Sequence, residues 1–177
     1  PFVGGVYRSM KIASGYNTTI FFGDAVKIVT GGTVERDAFD AAMTPVGVFM
    51  GCKYTDPNLG YELYSQSFPA NTVASDIVAY VADATDLLFK AAVVSSGTTI
   101  GDLALTDIGA NVAGVDNTGD STSGNSRGAI SDTSATTNTL PFRIVGLVEE
   151  TKNSSGGYTE AYVKWNAGHQ YSNTTGV

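Results

Sequence analysis

Apolar and polar residues alternate along this chain in short runs broken by glycine, proline and asparagine. That is the period of strands, not the 3.6-residue period of helices. Residues 11–30 hold two such runs, Ile20-Phe21-Phe22 and Ala25-Val26-Lys27-Ile28-Val29, on either side of Gly23-Asp24. Aromatic and β-branched side chains suit a pleated, half-buried surface, and Gly23 gives the backbone freedom for a sharp change of direction. The order Gly-Asp predicts a II′-like turn or a bend between two strands.

Further along, residues 33–44 read as a short helical turn or solvated loop. Residues 46–54 alternate cleanly, with Val46, Val48, Met50, Cys52 and Tyr54 on one face and Gly47, Phe49, Gly51 and Lys53 on the other. The two glycines predict a bend, a bulge or close backbone approach. Residues 76–82 and 87–94 are separated by a short polar link and read as a hairpin; residues 98–112 read as either a short helix or a turn-rich segment. Residues 114–139 are Gly, Ser, Thr, Asn and Asp with almost no apolar side chain, and predict a long exposed loop with a short strand near Ala129-Ile130. A C-terminal hairpin follows, with Phe142, Ile144, Gly146 and Val148 on one face of its first strand, and Ala161, Val163 and Trp165 on one face of its second.

About seven or eight short strands at ~10-residue spacing predict a mainly β chain: a single-domain antiparallel β-sandwich or small β-barrel over residues 11–166. Residues 1–10, with Gly4-Gly5 and no periodicity, read as an extended N-terminal arm, and residues 167–177 as a fraying polar tail.

Composition narrows the function. A chain of 177 residues buries roughly 70% of the surface its unfolded form exposes, so a self-supporting core is expected. Charged residues are 15%, and 17 acidic against 10 basic give a net charge of −7 with the basic residues scattered singly. A nucleic-acid partner is therefore not expected, because phosphate binding needs a basic face. No run approaches the ~20 apolar residues of a membrane-spanning helix, and no secretory leader is visible, so a soluble chain is expected. The start at Pro1 without methionine reads as processing or as residues missing ahead of it. The one cysteine, Cys52, cannot form an internal disulfide and reads as a small buried hydrophobe. The Asn-x-Ser/Thr sequences at Asn17, Asn153 and Asn173 read as turns.

Four arrangements could carry chemistry. Gly124-Asn125-Ser126-Arg127-Gly128 fits the nucleophile-elbow pattern G-x-S-x-G, with Asp132 and His169 following in hydrolase order. An elbow needs an apolar strand before the serine and a helix after it; both flanks here are polar loop. His169 is the only histidine and reads as a surface side chain. Asp116, Asp120 and Asp132 suggest a calcium loop, but the EF-hand register fails: Gly is missing at the sixth position from Asp116, and Arg127 stands where the bidentate glutamate belongs. Tyr7, Tyr16, Phe21, Tyr54, Tyr61, Tyr64, Tyr158 and Tyr162 could line a sugar-binding face or serve packing and interfaces. Catalytic residues, cofactor and metal are thus all expected to be none.

Several segments, taken in order, resemble a family of tailed-bacteriophage head proteins, the small capsid decoration (cement) proteins. They are Lys11-Ile12-Ala13-Ser14-Gly15-Tyr16 leading to Phe22-Gly23-Asp24-Ala25-Val26, then Val46-Gly47-Val48-Phe49-Met50-Gly51-Cys52-Lys53-Tyr54. Tyr64-Ser65-Gln66-Ser67-Phe68-Pro69-Ala70, Ala79-Tyr80-Val81-Ala82-Asp83 and Leu88-Phe89 follow, and then Phe142-Arg143-Ile144-Val145-Gly146-Leu147. Pro1-Phe2 is similar to the Pro-Phe near the start of such proteins; the middle loop departs from the family in length and composition. The resemblance implies a non-enzymatic virion protein, made in the host cytoplasm, that binds the outside of the head. It would self-associate as a dimer or trimer and bridge major capsid protein subunits. The arm residues Pro1, Phe2, Val3, Val6, Tyr7 and Arg8 are the expected contacts with the shell or a neighbouring subunit. The competing expectation is a β-sandwich module that binds carbohydrate or a host surface through exposed aromatics.

Overall fold

The computed structural model describes residues 7–152, 157–172 and 176. It is almost entirely β, as the alternation predicts. The chain enters through β1 (Tyr7–Lys11), then β2 (Ala25–Val29), β3 (Thr33–Arg36), β4 (Gly47–Thr55), β5 (Glu62–Ser65) and β6 (Val78–Ala82). Strand β2 pairs with both β3 and β4, β3 with β1, β1 with β6 and β6 with β4. These five pairings close a small barrel, and β5 hangs on the free edge of β4. Closure leaves no long edge for another chain to template on.

The second sheet runs in the order β10-β11-β7-β13-β12-β9, formed by β7 (Leu88–Ser96), β9 (Asn111–Val112), β10 (Gly114–Val115), β11 (Ala129–Ser131), β12 (Phe142–Leu147) and β13 (Glu160–Trp165). A short β8 (Thr99–Ile100) pairs with β7 off this path, and a 3₁₀ turn (Leu105–Asp107) precedes β9. Most pairings are antiparallel; β1–β3 and β7–β11 are parallel.

Each sheet has its own core. Val26, Val34, Phe49, Phe68, Ala79 and Val81 fill the barrel, and Val93, Leu103, Ile130, Phe142, Ile144 and Val163 fill the space beneath the second sheet. Strand β2 is the wall between them. Val26 points into the barrel core while its neighbour Ala25 packs in the other, because successive strand side chains face opposite ways.

Several sequence expectations change. The body begins at Tyr7, not at residue 11: all five residues of β1 pair with β6, from Tyr7↔Ala82 to Lys11↔Val78. Of the expected arm contacts, Pro1, Phe2, Val3 and Val6 lie outside the described residues. At Gly23, Asp24 N–H donates to Phe21 O (2.9 Å), and the positive φ of 94° falls on the third residue. That is a type II turn, not II′. Residues 20–22 contribute isolated bridges and no strand. Residues 33–36 are a strand, held by pairing with β2 from Val26↔Arg36 to Val29↔Thr33, which overrides their weak local preference.

Strand β4 does not keep one alternation throughout. A bulge between Phe49 and Cys52, with Gly51 at φ 115°, inserts an extra residue. Phe49, Cys52 and Tyr54 therefore point inward, while Val48, Met50 and Lys53 point outward. The expected β6–β7 hairpin does not form, since the two strands belong to different sheets. The polar middle segment is no free loop: Gly114, Gly124, Ala129 and Ile130 are buried. The C-terminal hairpin forms as expected, paired from Phe142↔Trp165 to Leu147↔Ala161 with a bulge at Val145. Residues 167–172 do not fray. The Gln170 side-chain amide accepts the Ile28 N–H (2.6 Å) and donates to its carbonyl (2.9 Å), standing in for a neighbouring strand.

Candidate functional site

The wall strand β2 begins beside a buried carboxylate. Asp24 is fully buried; its Oδ2 accepts the Phe21 N–H (2.9 Å) and Arg36 Nε–H (3.1 Å), and its Oδ1 accepts the Ser126 hydroxyl (2.6 Å). The other end of Arg36 reaches Asp116, which also takes the Phe39 N–H (3.3 Å). Ser126 Oγ in turn accepts the Gly128 N–H (3.0 Å). Burial alone would lower the Arg36 pKa, but the Asp116 hydrogen bond and the Asp24 charge outweigh it, and the guanidinium is held charged. This cluster straps the middle segment across the barrel. Its hydrogen-bonded side-chain pairs lie 12 to 102 residues apart, so no local motif could have announced it.

The G-x-S-x-G serine is accordingly a fastener. Ser126 lines a cleft of about 530 Å³ with Asn117, Arg127 and Tyr158, yet its hydroxyl is directed to Asp24. Asn117 Nδ2 is occupied by Gly97 O and Arg127 O, and the Tyr158 hydroxyl by Thr98 O. A serine nucleophile needs a base within about 3 Å. Neither Asp132 nor His169 is among the hydrogen-bond partners of Ser126.

His169 is 1% exposed, contrary to the surface position expected for it. It lies between the rings of Trp165 and Tyr171, 5.8 Å from each, and its Nδ1 accepts the Tyr171 N–H (3.2 Å). Burial lowers its pKa below the ordinary 6.5, with the nearby Asp83 charge opposing. Asp83 itself is buried against Arg8, Nε to Oδ2 2.8 Å, and Arg8 also lies over the Tyr171 ring at 5.8 Å. Of the two described arm residues, Arg8 is thus engaged inside the molecule, whereas Tyr7 is 56% exposed.

The three loop carboxylates do not converge. Asp116 serves Arg36, Asp120 accepts the Thr122 N–H (2.8 Å) and pairs with Arg127 (3.1 Å), and Asp132 accepts the Thr133 hydroxyl (3.4 Å). Among the described residues no three His, Cys, Asp or Glu side chains gather as a metal site. Cys52 is buried, and burial pushes its thiol up to about 12, so it carries no thiolate near neutrality. Asn17 Oδ1 accepts the Thr18 hydroxyl (3.2 Å); Asn153 and Asn173 lie outside the described residues.

The aromatics divide. Phe21 and Tyr54 are core, and Tyr16 is half-buried, stacked on Phe68 with its hydroxyl accepting the Arg36 N–H (3.1 Å). Tyr7, Tyr61, Tyr64, Tyr158 and Tyr162 are exposed, and Phe22 joins them. No helix among the described residues is long and apolar enough to cross a membrane. Comparison with known proteins finds no matching family model, no matching curated protein and no matching solved structure.

Proposed function

We propose that this chain is a non-catalytic virion protein that coats the outer surface of a tailed-phage head and stabilises it by bridging major capsid protein subunits. The observation that carries this reading is where the resembling segments lie. Residues 46–54 cover β4 except its last residue, residues 79–83 cover β6 except its first, residues 88–89 open β7 and residues 142–147 are β12, so the resemblance follows the framework of both sheets. The engagement of Ser126, Asp24, Arg36 and Asp116 with one another supports it too, since each group that suggests chemistry already has a structural partner. Tyr7 supplies an exposed aromatic where the chain enters the barrel, and with Pro1, Phe2, Val3 and Val6 it forms the assigned contact with the shell or a neighbouring subunit. Self-association on a repetitive lattice raises effective affinity without strengthening any single contact.

Co-sedimentation with purified, DNA-filled heads tests the reading. Saturable occupancy is expected for the full chain and reduced occupancy for one beginning at Tyr7. Equal retention on heads and on an unrelated particle would overturn it. A second reading, a module that binds carbohydrate or a host surface, is favoured by the exposed Tyr61, Tyr64 and Tyr162.

A further inference from the structure

The outward face of the barrel holds a concavity that none of the roles above uses. Its floor is the β4 bulge, Met50-Gly51-Cys52, and around it stand Phe22, Tyr64, Gln66 and Tyr80. The register brings them together. Tyr64 lies opposite Lys53 on the outer side of β5 and β4, and the bulge turns Met50 outward between them and Tyr80 of β6. At about 410 Å³ the cleft is in the ~300–1,000 Å³ range of small-ligand sites. Tyr64 is 65% exposed and Phe22 36%, with Lys53 Nζ over one face of the Tyr64 ring, 5.9 Å from its centroid.

The polar groups at its rim define the ligand chemistry. Gln66, which lines the cleft, donates from Nε2 to Oδ1 of its neighbour Asn125 (2.6 Å), and both side chains are exposed. Gln66 Oε1 and Asn125 Nδ2 have no partner among the described residues, and so offer an acceptor and a donor side by side. The charged neighbours of Tyr64, Lys53 and Glu62, are bound to each other at 2.9 Å. No free cation is left there for a phosphate or carboxylate, and the net charge of −7 disfavours a polyanion. A purely apolar ligand would make no use of this amide pair. Aromatic side chains beside an amide donor and acceptor, without net charge, match a pyranose, whose apolar C–H face stacks while its hydroxyls pair.

We propose that this cleft binds a neutral saccharide, stacked on Tyr64 and Tyr80 and hydrogen-bonded to Gln66 and Asn125. The proposal rests on the carbohydrate-binding reading and stands apart from head binding, which a separate assay measures. The chain has three methionines, Met10, Met43 and Met50. Met50 lines the cleft, Met10 packs on the barrel core and Met43 sits in the second core. Protein labelled with ¹³C at the methionine methyls is titrated with neutral trisaccharides of glucose, galactose, mannose and N-acetylglucosamine, up to the solubility of each. The expected result is a saturable shift of the Met50 methyl with at least one sugar, Met10 and Met43 staying still. Tyr64→Ala should abolish the shift, Tyr64→Phe keep it and Gln66→Ala weaken it. Unmoved Met10 and Met43 positions in the variants report that both cores are intact. No saturable Met50 shift with any of the sugars, equal shifts at all three methyls, or full retention in Tyr64→Ala would overturn the proposal.

Discussion

The barrel and the second sheet are built from the same kinds of residue and both close, yet they close differently. In the barrel, β2 pairs on both sides and the ring leaves only β5 at an edge. Tight closure requires local irregularity, supplied by the Gly51 bulge and by the crossing of Gly47 over Ala82, where an added Cβ would overlap the Ala82 carbonyl. The second sheet closes through a single segment: β9 pairs with β12 and β10 with β11, and only Ala113 separates the two, its carbonyl accepting the Ser131 N–H (3.0 Å). One region is held by its own ring, and the other is held against that ring by β2, the middle segment and the C-terminal strap. The polar cluster at Asp24 is therefore the joint between them.

Breaking that joint should have the largest effect. Asp24→Ala removes the acceptor for Phe21 N–H, Arg36 and Ser126, and leaves the Arg36 charge half-buried. A loss of about 3–5 kcal/mol is expected in urea unfolding. Hydrogen exchange should accelerate at residues 116–128 while β12 and β13 keep their protection. Uniform acceleration across both sheets would mean that the two regions are not distinct. Gly23→Val places a β-branched side chain at φ 94°, with an expected cost of about 2–3 kcal/mol; wild-type melting would refute the type II turn. Ser126→Ala removes a hydrogen bond to a charged acceptor and the acceptor of the Gly128 N–H, and should cost about 2 kcal/mol. Because Asp24 and Ser126 act together, the double variant should cost less than the sum of the two single losses.

The strap can be tested through pH. The depressed pKa of His169 means that the unfolded chain takes up its proton first on acidification. This contribution to stability is complete above 6.5 and is lost progressively as pH falls below it. Asp83, Arg8 and Tyr171 are the other titratable groups facing the ring. His169→Asn should flatten the slope of unfolding free energy in that window, by up to about 1.4 kcal/mol per pH unit. An unchanged slope would place the titration elsewhere. Smallest of all, Tyr64→Ala on the exposed face should change stability by less than about 0.5 kcal/mol.

What was legible in the sequence follows the same division. In the second sheet, Phe142, Ile144, Ala161 and Val163 point inward as read, but the bulge at Val145 brings Leu147 to the core from the face opposite to the one the alternation gave it. In the barrel, one inserted residue at Gly51 reversed the face of half of β4, and hydrogen bonding across the ring made a strand of residues 33–36, whose charged pattern reads as a loop. The middle segment read as free because its anchors are polar: Ser126 and Asp116 are held by partners on the first strands, which composition cannot reveal. His169 and Gln170 read as tail residues for the same reason, since their docking depends on Ile28, Pro45 and Trp165 brought together only by the fold.

Cryo-imaging of phage heads incubated with the purified chain tests the proposed function most directly. The account predicts additional density on the outer surface at regular lattice positions, into which the closed barrel fits with Tyr7 toward the shell or a neighbouring copy. Heads that remain bare at saturating protein, or density scattered without regard to the lattice, would contradict it.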